Sequence, residues 1–303
     1  MPELLSPYPD RLSLQISPAA AMAMTLPLVE LAPRYPGIDP WLAQLSGRLG
    51  RAVRADVRLL CVPLSGVLSY LLEHAYDEES MQPALDALAA ASPDEILSRV
   101  LLLLAGRTDH RDPEIVRRWI SDEPQRVLEI IASLQRPSAE EPFEIDAERT
   151  LSLLRQPAAL KSLAELRLRQ LWYDHFAPRW REVLPVCRAL RDEAERHFHL
   201  GDPVLVAEAI IGRKGHERIA SMRDKRIVFV PIPFLGPYVS TMGTDEYPVA
   251  FVGFGVVQGG DVTREASRRD LLAALTALAD ESRLKALALI HQKGEARAAD
   301  FMI

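Results

Sequence analysis

The stretch LLAALTALADESRLKALALIHQKGEARAADFMI, residues 271–303, decides how the rest of the chain is read. Leu271, Leu272, Leu275 and Leu278 recur at helical spacing and give a helix one apolar face. Asp280 and Ser282 can each accept a hydrogen bond from an N–H that the first turn of a second helix leaves unpaired. On that second helix Leu284, Leu287 and His291 share a stripe, with Ile290 beside it. Lys293-Gly294 closes it, because glycine most easily takes the left-handed conformation at a helix C-terminus. A third helix begins near Glu295. Two short amphipathic helices, a tight break and a third helix are the opening of a helix-turn-helix.

The residues at 275–290, Leu-Thr-Ala-Leu-Ala-Asp-Glu-Ser-Arg-Leu-Lys-Ala-Leu-Ala-Leu-Ile, resemble the entry helices of the ArsR-type winged helix-turn-helix repressors. In that family an Ala-Leu-Ala-Asp-x-(Thr/Ser)-Arg-Leu core leads into a helix ending in a basic-Gly-Glu turn, to which Lys293-Gly294-Glu295 is similar. The resemblance implies operator DNA as partner, a homodimer, and two recognition helices set about one DNA turn apart. It also implies that the recognition helix and the β-hairpin wing would follow Ile303, so no base-reading residue is named in this chain. Because the apolar Phe301-Met302-Ile303 falls inside a helix, we expect the sequence to be a piece of a longer regulator.

Working outward, the 303 residues allow one large or two ordinary domains. A composition of 48% hydrophobic and 26% charged residues is that of an ordinary globular protein. The net charge of −6 excludes a global basic field, though a local basic face can still meet DNA. Cys61 and Cys187 lie far apart and form neither a disulfide framework nor a Cys-x-x-Cys. The thiolate pair that many metal-sensing ArsR-type repressors carry in their entry helices is missing, so no metal or other cofactor is expected. The charge-free stretches 12–29 and 227–244 both contain prolines, so neither reads as a membrane-spanning helix, and a cytoplasmic location is expected.

Residues 12–16 alternate apolar and polar side chains and predict a strand, after which Ser17-Pro18 starts a helix. Asp39-Pro40, Ser92-Pro93, Asp112-Pro113 and Asp202-Pro203 give further helix starts, and Pro178 is expected to break a long helix begun near Leu160. From Arg226 the character changes. Residues 227–232, 237–242 and 249–257 predict three antiparallel strands, which the N-terminal strand joins, with helices over one face. The order of early Ile16-Ser17-Pro18, Trp-rich middle helix and late Pro-rich strands resembles a domain of uncharacterised function found ahead of the helix-turn-helix in some ArsR-type regulators. The expected fold class is therefore α+β and predominantly helical. A helical effector or dimerisation domain with a small antiparallel sheet occupies 1–262, and an incomplete winged helix-turn-helix occupies 263–303.

Few residues suggest chemistry. Trp172, His175, Phe176 and Trp180 cluster where two helices meet; they can line an effector pocket or be core aromatics with His175 satisfied by a neighbour. His197 and His199 are two apart, and on a helix they point away from each other. Gly253-Phe-Gly-Val-Val-Gln-Gly259 departs from the dinucleotide fingerprint by one residue, and glycines easing a β-bend are the better account. The six Arg and Lys of residues 212–226 suit an exposed connector better than a phosphate contact. No catalytic motif appears, so no enzyme is expected. The leading expectation is an ArsR-like transcriptional regulator whose N-terminal domain senses a signal, with a small-molecule effector as a candidate. Its rival is a ligand-binding or protein-interaction module without DNA binding.

Overall fold

The computed structural model describes residues 11–29, 31–32, 35, 37–74, 80–134, 145–211, 217–222, 224–243 and 249–255. All of them belong to the unit Met1–Val257. The helix-turn-helix reading of 263–303, and the domain boundary at 262, lie outside the described residues.

A short strand β1 (Leu12–Leu14) leads into α1 (Pro18–Thr25), extended by a 3₁₀ turn over Leu26–Leu28. Eight helices follow: α2 (Pro40–Arg48), α3 (Arg51–Cys61), α4 (Gly66–Glu73), α5 (Gln82–Ala90), α6 (Pro93–Ala105), α7 (Pro113–Asp122), α8 (Pro124–Ser133) and α9 (Ala147–Leu154). Helix α10 (Pro157–Leu171) passes through a π-helical segment, Trp172–Phe176, into α11 (Ala177–Glu195). Helices α12 (Pro203–Ile211) and α13 (Glu217–Ala220) precede β2 (Arg226–Pro231), β3 (Val239–Met242) and β4 (Val249–Phe254).

The helix starts follow the local chemistry. Ser17 accepts from Ala20 N–H at 3.2 Å, Ser92 from Glu95 at 3.1 Å and Asp112 from Glu114 at 2.9 Å. Asp146 and Asp202 do the same for α9 and α12. In each X-Pro start the proline occupies the first turn, where its missing N–H would have had no partner. Each cap contributes about 1 kcal/mol.

Helix α1 is buried along its whole length, so it is apolar on every side. It packs against α4 on one side and the sheet on the other. Beyond α4, helix α6 packs against α4, α7 and α10, and α10 against α3, α5 and α9. The α4–α6 crossing is close enough to require Gly66, since a Cβ there would lie 2.4 Å from Val100 N.

The chain is predominantly helical with a small four-stranded sheet of order β1-β2-β4-β3, as its composition pattern led us to expect. The N-terminal strand does pair with the late strands, Leu12 opposite Ile227 and Leu14 opposite Phe229. The antiparallel expectation holds only for β3 against β4. Strands β1 and β2 are parallel, as are β2 and β4, so the sheet is mixed. The expectation of helices over one face is also corrected. Val228, Val230 and Phe251 point into the main core with α1, whereas Ile227, Phe229, Ala250 and Val252 pack with Ala194, Val206 and Ala207 of α11 and α12. A sheet covered on both faces suits parallel pairing, because the crossover helices provide the cover.

Pro178 does not break the helix. Ala177 N–H donates to Trp172 O, five residues back, and this widened turn carries the chain past the proline, which has no N–H to offer. Among the described residues no single helix is long and apolar enough to cross a membrane.

Candidate functional site

Tyr35, residues 37–39 and the 232–238 turn meet after the end of β2. Gly236 adopts φ +57°, and a Cβ on it would lie 1.8 Å from Gly37 O, so only glycine fits. Asp39 N–H donates to Phe234 O at 3.1 Å, and the Tyr35 and Tyr238 rings meet edge-on at 5.4 Å. This junction fixes the start of α2. Asp39 caps that helix by accepting from Trp41 N–H at 2.9 Å. Trp41 then packs edge-on against Phe176 at 5.0 Å and tilted against Phe234 at 5.1 Å.

Between α2 and the start of α11 lies a cleft of about 420 Å³, lined by Asp39, Pro40, Trp41, Gln44, Arg48, Asp174, His175, Pro178, Arg179 and Glu182. Arg179 ties the two walls together, its Nη2 reaching Asp39 Oδ2 and its Nη1 Glu182 Oε2, both at 2.7 Å. Burial lowers the pKa of this guanidinium, yet the hydrogen bonds to Asp39 and Glu182 outweigh it and hold the group above the ordinary arginine range. Arg179 Nε is buried and has no acceptor among the described residues. The lining thus combines three carboxylates, two guanidiniums, an imidazole and an indole face. That set suits recognition of a small polar molecule, of the size range such sites usually hold, about 300–1,000 Å³.

The aromatic cluster, which could line an effector pocket or belong to the core, divides between the two. His175 lines the cleft. Trp172, Phe176 and Trp180 are buried in the main core, the second of the two alternatives, so these three do not line the cleft with His175. Their spacing of four residues explains this, since it puts all three on one helical stripe while His175 falls to the side. Asp39 and Arg179, the pair that ties the walls, were not legible as a site. Asp39-Pro40 reads only as a helix start, and its partner lies 140 residues away.

The other candidates resolve as structure. His199 Nδ1 bonds the Arg196 carbonyl at 2.6 Å, and no metal-binding cluster occurs among the described residues. Gly253 is a strand residue whose Cβ would lie 2.7 Å from Ile232 Cδ1, so it serves packing; residues 256–259 of that motif lie outside the described residues. Of the basic run at 212–226, residues 212–216 and 223 are likewise outside them, while Lys225 is buried. No protein-family model, curated protein or solved structure matches the chain.

Proposed function

We propose that the chain is part of an ArsR-like transcriptional regulator, cytoplasmic and not an enzyme, that binds operator DNA as a homodimer under control of its N-terminal domain. The observation that carries this reading is the Ala-Leu-Ala-Asp-Glu-Ser-Arg-Leu run at 277–284 with its Lys293-Gly294-Glu295 turn. A helical domain with a charge-lined cleft supports it, because a controller needs a place for its signal. A molecule in that cleft shifts the regulator between DNA-competent and incompetent forms only through different affinities for the two.

Mobility shifts test it, with the full-length gene product on DNA flanking its own gene. The regulator reading predicts a retarded band that weakens steeply as salt rises, since phosphate contacts release counterions. Failure to retard any DNA at low salt would retire the reading. The second reading, a ligand-binding module without DNA binding, is favoured by the cleft itself, whose described lining residues all belong to the N-terminal unit.

A further inference from the structure

The groups lining the cleft differ in what they leave for a ligand. Arg179, Asp39 and Glu182 are engaged with one another. Arg48 is held only by a 3.4 Å hydrogen bond from Nη2 to Gln44 Oε1, and both residues are exposed. The Asp174 carboxylate and the His175 imidazole, one residue apart on the π turn, have no hydrogen-bond or ion-pair partner among the described residues. Trp41 presents a half-buried indole. Among the described lining residues, the cleft therefore offers a guanidinium outside any ion pair, an unpaired carboxylate, an imidazole and an apolar wall.

We propose that this cleft binds a small zwitterion of the amino-acid type, its carboxylate on Arg48 and His175, its ammonium on Asp174 and its side chain along Trp41. The proposal rests on reading the N-terminal unit as the signal-sensing part, and it names the chemical class of the signal. A molecule with a single charge would satisfy one side of the cleft and leave the opposite charge unpaired. A guanidinium also takes a carboxylate through two parallel hydrogen bonds, which fixes orientation as well as strength. A π-helical turn brings Asp174 and His175 to the cleft, and such turns recur where a helix serves a site.

Thermal-shift screening of the full chain against the twenty free amino acids at millimolar concentration, followed by titration calorimetry, tests the proposal. Propionate and propylamine, each carrying one of the two charges, serve as controls, and Arg48→Ala and Asp174→Asn as variants. Both replaced side chains are exposed, so the fold should persist, and circular dichroism checks that it does. At least one amino acid should raise the melting temperature, the single-charge controls should not, and each variant should weaken binding about tenfold or more. No stabilisation by any amino acid, equal binding of propionate or propylamine, or unchanged binding by both folded variants would each overturn the proposal. Amino-acid binding together with failure to shift DNA would retire the regulator reading and leave this site standing.

Discussion

Asp56 is a buried carboxylate that holds two guanidiniums. It lies on α3 with its side chain 3% exposed, and it accepts from Arg149 Nη2 and Arg167 Nε at 2.5 Å each. A lone buried carboxylate would be costly, but two guanidiniums from α9 and α10 offset its desolvation and lock three helices together. Asp56→Ala leaves two guanidiniums that are 40% and 20% exposed, so it should lower unfolding stability by about 1–3 kcal/mol, the loss of charged hydrogen bonds, in a denaturant titration. Arg149 is 40% exposed, so Arg149→Ala should cost about 1 kcal/mol or less. Glu73 has the opposite character. It pairs with Arg99 at 2.7 Å, but one carboxylate oxygen is buried without a partner. Burial raises its pKa above the usual glutamate value, against the lowering pull of Arg99 and His74 and with a smaller push from Glu95. The folded chain thus holds this proton more tightly than the unfolded chain. Its stabilising contribution is complete below the ordinary glutamate pKa and is lost as pH rises through the folded value. Comparing wild type with Glu73→Gln from about pH 4 to 7, the difference should move against the wild type as pH rises.

Among the elements, the long helix and the strands show best how local pattern and tertiary demand interact. A proline at position 178 stops an ideal helix, yet the π turn at Trp172–Phe176 lets α10 continue into α11 without a break in helical structure. The same turn leaves Trp172, Phe176 and Trp180 on the core stripe and His175 beside the cleft. In the sheet, Ile227–Val230 and Ala250–Val252 are buried without alternation, the signature of strands covered on both faces. The apolar runs are visible in the sequence, but the prolines and glycines around them read as the turns of an antiparallel meander. Glycine substitutions separate the two kinds of constraint. Gly47 lies in α2 with nothing near a Cβ, so Gly47→Ala should raise stability by about 0.5–1 kcal/mol. Gly236→Ala should lower it by about 2 kcal/mol or more, because a positive φ and the Gly37 carbonyl both oppose a side chain. Thermal melts of the two variants should move in opposite directions.

At the scale of the whole unit, the sheet separates two apolar clusters and α11 belongs to both. Trp180, Val183 and Cys187 pack in the larger cluster, and Ala194 in the smaller. Cys187 is a ready reporter. It is fully buried, and burial pushes its thiol pKa up to about 12, so it offers almost no thiolate at mild alkaline pH. Cys61 is only half-buried. With a thiol reagent the native protein should label Cys61 readily and Cys187 only through unfolding, so one thiol reacts before denaturant and two after it. Rapid labelling of Cys187 in the native protein would show that the larger core opens locally around α11.

The order of residues by itself determined where helices begin, because Ser or Asp followed by Pro satisfies the free N–H groups of a first turn wherever it occurs. It also determined that the chain is mainly helical with a late cluster of strands joined by the first strand, since these follow from periodicity and side-chain shape. Only the tertiary structure decided that β1, β2 and β4 run parallel and that helices cover both faces, because strand direction depends on how the crossovers pack. The cleft, too, was a tertiary matter. Asp39 and Arg179 become neighbours only when α2 and α11 lie side by side, and an ion pair that spans 140 residues leaves no mark on the sequence around either partner.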